Sequence, residues 1–304
     1  MFRPRSALPS GNVTMGSQLP SSSTSKLLPS GTYLQENLSS RASVFNTLDD
    51  PYRSSKSITG DTSYVGATDA YSGDQDLEPG APGYLVPQPP VDYQPFGFPL
   101  AHTICLVTAY SESVEGLRTT LDSVATTDYP NSHKLILVIC DGLIKGSGND
   151  MTTPEIALSM MKDFVEPPDQ VQAYSYVSVV SGMKRHNMAK VYAGFYDYDN
   201  DTMNPSKQQR VPMITIVKCG TPAEQGAAKP GNRGKRDSQM LLMRFLNRVH
   251  YNLPMSPMEL ELYHQIQNVI GVNPAYYEYL LQVDADTMVS QECASQMVSA
   301  MNNN

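Results

Sequence analysis

The runs AHTICLVTAY, KLILVIC and MITIVKCG are apolar at nearly every position rather than at every second one. A strand with water on one face alternates. A strand apolar throughout is covered on both faces, which is the mark of a parallel sheet between helices. The intervening stretches agree. Val114, Leu117, Leu121 and Val124 recur at helical spacing, and TTPEIALSMMKDFV predicts a second helix with Thr153 as N-cap and Pro154 at the first helical position. AYSYVSVV and EYLLQVDAD read as further strands. The expected fold is therefore α/β, with a mostly parallel sheet and helices on both faces. The residues before it differ. Positions 1–100 are rich in Ser, Pro, Gly and Thr, and we expect a disordered tail ending in a stiff Pro-rich linker, with a ligand-binding domain over 101–304.

In a parallel sheet, ligands bind beyond the carboxyl ends of the strands. Each apolar run here ends in a polar cluster: TAYSE, CDG, KCG and DAD. TAYSE offers Thr108, Tyr110 and Glu112, a ring and hydrogen-bonding groups suited to a nucleobase and ribose. The same residues also suit an ordinary turn in which Ser111 or Ser113 caps the next helix. Asp141 of CDG can accept from a pyrimidine N–H or a ribose hydroxyl, or simply form an Asp-Gly turn. KPGNRGKRDSQMLLMRFLNRV is denser in signal. Lys229, Arg233, Lys235 and Arg236 set four cations in eight residues, ahead of a helix opened by Asp237 and marked by Met240, Leu241, Phe245 and Val249. A basic glycine-containing loop feeding a helix N-terminus attracts phosphate. It is not a Walker loop, because GxxxxGK[ST] is absent. Asp284 and Asp286 of LLQVDADT are the acidic complement: two like charges one residue apart that a divalent ion with a diphosphate would neutralise. A glycosidase pair must span about 5–9.5 Å, which this spacing does not secure.

Composition narrows the alternatives. A formal net charge of -8 argues against nucleic acid held by a general basic field. Four separated cysteines, three of them in apolar runs, suit reduced core thiols, and five scattered histidines lack zinc-ligand spacing. No run approaches the roughly 20 apolar residues of a membrane span, and the N-terminus lacks a secretory h-region.

Over residues 103–289 the chain resembles the fungal chitin synthases, processive family 2 glycosyltransferases. The likeness is carried by VTAYSE, TTLDSVATTDYPNSHKLILVICDG, RHNMAKVYAGFYDYD, QQRVPMITIVKCGTP, KPGNRGKRDSQ and LLQVDADT. The resemblance implies a GT-A-type fold and transfer of N-acetylglucosamine from UDP-GlcNAc to a growing β-1,4 chitin chain. It implies that Thr108, Tyr110 and Glu112 face the uridine and that Asp141 meets uracil or ribose. Lys235, Arg236 and Asp237 then surround the diphosphate, while Asp284 and Asp286 address the donor and its Mg2+ or Mn2+. Lys218, at a strand end, is a further candidate by position. For a complete enzyme the resemblance implies the cytoplasmic face of the plasma membrane. It also implies a later acidic motif, a QRRRW segment and export helices, none of which precede AMNNN. We therefore expect an N-terminal fragment with the donor half alone, soluble or peripheral and inactive by itself. Its partners would be UDP-GlcNAc, a second copy of itself or full-length chitin synthase. A regulatory truncated paralogue, or a fragment of a cellulose or hyaluronan synthase, are the rival expectations.

Overall fold

The computed structural model describes residues 86, 88–90, 92–201 and 203–302. Most of the expected tail lies outside them. The strands are β1 (His102–Ala109), β2 (Lys134–Cys140), β3 (Met161–Lys162), β4 (Ala173–Val177), β5 (His186–Tyr196), β6 (Pro212–Lys218) and β7 (Tyr277–Asp284). The α-helices are α1 (Val114–Ala125), α2 (Thr153–Ser159), α3 (Lys235–His250), α4 (Pro257–Ile270) and α5 (Cys293–Asn302).

The sheet runs β3-β5-β6-β2-β1-β7, with β4 also paired to β5. Its centre, β6-β2-β1-β7, is parallel, while β5 runs antiparallel to β6, β3 and β4. The GT-A-like α/β architecture follows the apolar runs: every residue of β2 and of β6 is buried. Alternate side chains face opposite ways. Cys105, Val107, Ile136 and Val138 meet Leu117, Leu121 and Val124 of α1 and Ile156 of α2. Ile104, Leu106, Leu135, Leu137 and Ile214 meet Leu241, Leu242 and Phe245 of α3 and Met258, Leu262 and Ile266 of α4. Phe96, Phe98 and Leu100, counted with the linker in the sequence, pack with Tyr129 against Ala294 and Val298 of α5.

Several local expectations are corrected. The N-cap of α2 is Thr152 rather than Thr153, because Thr152 and Glu155 form a reciprocal capping box. That helix ends at Ser159, and Met161 and Lys162 turn away to pair with Tyr196 and Phe195 of β5. β4 stops at Val177 and is antiparallel. Helix α1 is capped by Ser113, which accepts from Gly116 N, and Val114 of its expected apolar stripe faces solvent. Two elements went unread. β5 hides behind interspersed polar residues, one of which, Asn187, is wholly buried. α4 carries its own capping box, Ser256 with Glu259.

Cys105, Cys140 and Cys219 are buried free thiols, as expected, and Cys293 is partly exposed and also free. Among the described residues no helix is long and apolar enough to cross a membrane.

Candidate functional site

Parallel pairing brings the carboxyl ends of β1, β2, β6 and β7 to one edge, with Thr108 beside Asp284 in register. A cleft of about 370 Å³ opens there. Thr108, Tyr110 and Glu112 line it from the turn after β1, Asp141 from the end of β2, and Asp284 and Asp286 from the end of β7. Asn232, Gly234, Lys235 and Ser238 close the remaining side. Seven of the ten sequence candidates thus share one cleft. Arg236 is exposed outside it, and Asp237 and Lys218 are buried and do not line it.

The basic loop is shaped by charge buried below it. Lys218, fully buried, donates to Asp141 Oδ1 and forms an ion pair with Asp237 Oδ2, each at 2.9 Å. Asp141 also accepts from Asn232 Nδ2 (2.7 Å), the Arg233 N–H (2.9 Å) and the Gly234 N–H (2.8 Å). Asp237 accepts from Tyr176 Oη and from the Val179 N–H, both at 2.8 Å. Two carboxylates around one lysine leave a negative excess, and these five neutral donors meet it; isolated buried charge is otherwise costly. The loop also needs glycine. Gly231 has φ +77°, and a Cβ there would lie 2.2 Å from the Lys218 carbonyl oxygen. Gly234, at φ +90°, stands at the N-cap of α3 with no side chain to block the helix end, so that end opens onto the cleft.

The four cations of this loop have different fates. Arg233 is buried and takes Glu224 bidentately (2.6 and 3.1 Å) and the carbonyls of Lys184 and His186. The Arg233 guanidinium holds the Glu224 carboxyl below its ordinary range. Arg233 is thus a brace rather than a free anion site. Lys229 donates to Tyr110 Oη at 2.7 Å, with its ammonium 5.5 Å from the ring centre. Lys235 pairs with Asp284 Oδ1 at the exposed lip. Arg236 lies outside the cleft.

Asn232 and Ser238 were not singled out in the sequence, although both lie inside the KPGNRGKRDSQ stretch. The Ser238 hydroxyl and that of Thr108 are buried with no hydrogen-bond partner among the described residues. Both residues line the cleft. Buried hydroxyls are normally satisfied, so two orphans at one cleft point to a polar ligand.

For a metal, the donor set is two exposed carboxylates, Asp284 and Asp286. Among the described residues no group of three or more His, Cys, Asp or Glu forms a metal cage. Mg2+ is commonly held by one or two carboxylates with the remaining positions taken by water and substrate phosphates. The pair therefore fits a divalent ion arriving with a diphosphate.

The profile of the chitin synthase family matches residues 82–304. Chitin synthase 3 of Saccharomyces cerevisiae is 65% identical over 217 residues, covering 71% of this chain and 19% of that protein. Chitin synthase 3 of Candida albicans is 64% identical, covering 71% of the chain and 18% of its own length. Chitin synthase IV of Metarhizium acridum is 54% identical over 294 residues, covering 95% of the chain and 22% of that protein. The chain thus spans about a fifth of the length of these curated relatives. The matched region holds the whole sheet and every residue of the cleft, and the chain belongs to the chitin synthase family.

Proposed function

We propose that this chain supplies the donor half of chitin synthesis: it binds UDP-GlcNAc in the cleft, for transfer of N-acetylglucosamine to a growing β-1,4 chain. The observation that carries the reading is the convergence of Thr108, Tyr110, Glu112, Asp141, Lys235, Asp284 and Asp286 on one 370 Å³ space at the strand ends.

In this reading the Tyr110 ring, steadied by Lys229, takes the uracil face, and the orphaned Thr108 and Ser238 hydroxyls find partners on the nucleotide. Asp141 meets the nucleoside with what its cleft-facing edge leaves free, while its main task is to hold the loop of Asn232 to Gly234. Asp237 acts from below, through Lys218, rather than as a ligand. The N-terminus of α3 and the Lys235 ammonium draw the diphosphate, and Lys235 exchanges Asp284 for phosphate oxygen as the donor enters. Mg2+ or Mn2+, held by Asp286 and Asp284, would neutralise charge on the departing UDP. In the whole enzyme the sugar passes by single displacement at its anomeric carbon. Asp284 and Asp286 aid UDP departure and are not assigned the acceptor's proton.

Calorimetric titration of the chain with UDP, with and without Mn2+, tests this. Heat that depends on Mn2+ and disappears in Asp286→Asn supports the reading, and the absence of heat with both ligands present defeats it. Competition between UDP-GlcNAc and UDP-glucose then separates a chitin synthase from a cellulose-type donor site.

A further inference from the structure

The hairpin between β4 and β5 ends in an exposed 3-10 turn, Gly182–Arg185, none of whose residues is buried. At its tip Met183 is 98% exposed. Two cations, Lys184 and Arg185, follow it directly. The hairpin is not loose. Ser178 N and Ser178 Oγ bond to the carbonyls of Arg185 and Lys184, and Arg233 grips the carbonyls of Lys184 and His186. Val179 N and the Val177 carbonyl tie it to Asp237 and Arg244 of α3. The tip is thus a fixed projection beside the first turns of that helix.

The neighbouring face of α3 continues the same chemistry. Arg236, Met240, Met243 and Arg244 fall at i, i+4, i+7 and i+8, so they share one stripe. Met243 is 50% exposed, and Val177, Val179 and Met240 are also exposed. Charge here runs against the chain as a whole. Residues 173–196 contain no acidic residue, and α3 contains only Asp237, which is buried and paired, in a protein of net charge -8. Among the described residues none of Lys184, Arg185, Arg236 and Arg244 forms a salt bridge. Glu224, whose charge Lys184 feels, is already taken by Arg233. None of these residues lines the donor cleft or the cavity of about 620 Å³.

We propose that this surface, the Met183 tip with Lys184 and Arg185 and the Arg236–Met240–Met243–Arg244 stripe, docks on an anionic lipid bilayer. Apolar side chains projecting singly between cations that form no salt bridge match a headgroup layer, where the cations meet lipid phosphate and carboxylate and the methionines enter the acyl boundary. The proposal stands apart from the donor reading, because Met183, Lys184, Arg185 and Met243 have no part in the cleft.

Sedimentation of the full chain with vesicles of phosphatidylcholine alone, or mixed with phosphatidylserine, tests it. Binding is expected to the mixed vesicles only, and to weaken as salt is raised. Each cation near an anionic leaflet strengthens attachment by about fivefold, so Lys184→Gln with Arg185→Gln should weaken it by about thirtyfold, and adding Met183→Ser should weaken it further. Lys145→Gln with Lys207→Gln removes the same charge elsewhere and should leave binding near that of the parent. The unfolding midpoint and the UDP titration of the hairpin variant should match the parent, which separates failure here from failure of the donor reading. Equal loss in both variants, equal binding to neutral vesicles, or a hairpin variant that changes self-association instead of vesicle binding would overturn the proposal.

Discussion

Replacing Lys218 with methionine isolates the charge beneath the cleft. The two side chains are close in volume, so no large cavity opens, and Lys218 touches no solvent that could take up the change. What is lost is the cation that Asp141 and Asp237 share. Breaking a buried ion pair from one side costs about 3–5 kcal/mol, because the partner is left charged and unpaired. In a domain of about 200 residues, each kcal/mol lowers the melting temperature by roughly 2–4 °C. Lys218→Met should therefore melt roughly 6–20 °C below the parent. Adding Asp237→Asn removes one stranded charge, so the double variant should recover part of the loss, with a coupling of about 0.5–3 kcal/mol. Circular dichroism melts of the four proteins in this cycle give the number. Calorimetry should show weaker UDP binding in Lys218→Met even below its melting range, since Asp141 then holds the 232–234 backbone less firmly. A melting shift under about 2 °C with unchanged UDP affinity would refute the reasoning, because the loop would then be held without its buried charge.

Further outcomes are expected at other positions. Tyr110→Ala should weaken UDP binding by roughly 5- to 150-fold in the same calorimeter, the span of about 1–3 kcal/mol for a base stacked on an aromatic ring. Gly231→Ala drives a Cβ against the Lys218 carbonyl at a positive φ and should lower stability by at least about 2 kcal/mol in urea titration. The stacked rings of His102 and His133, 4.1 Å apart, report on acid stability. Burial pushes His102 down to about 3, with His133 adding to it, and burial pushes His133 down to about 4. Below the unfolded value of about 6.5 the unfolded chain binds up to two more protons than the fold. This contribution is therefore complete above about pH 6.5 and is lost as pH falls toward 4. Urea midpoints measured across that range should fall less steeply in His102→Phe than in the parent.

Much of the architecture could be read from apolar patterning, because a buried parallel strand has to be apolar on both faces and its polar clusters then have to collect at one edge. That argument reached Thr108, Tyr110, Glu112, Asp141, Asp284 and Asp286 without coordinates. It failed where polar residues are buried for a reason no local pattern carries. Asn187 interrupts β5 because it bonds to Tyr176 Oη and the Gly231 carbonyl, 11 and 44 residues away. The cation cluster misled in a similar way. Counted along the chain, its four charges look alike, yet Arg233 is committed to Glu224 and two carbonyls, and Arg236 lies outside the cleft. The sequence places Asp237 beside the diphosphate, and the structure buries it against Lys218, 19 residues upstream in a different strand. By contrast α4 was legible and missed, since Ser256, Pro257 and Glu259 spell a capping box in the sequence itself.

The most direct test of the account is diffraction from crystals of the chain grown with UDP and Mn2+, recorded at a wavelength where manganese scatters anomalously. The account predicts a manganese peak bonded to Asp286 or Asp284, with the diphosphate against Lys235 and the start of α3 and the uracil on Tyr110. UDP found instead in the apolar cavity of about 620 Å³ lined by Leu158, Met188, Tyr192 and Cys219, or manganese bound away from both aspartates, would contradict it.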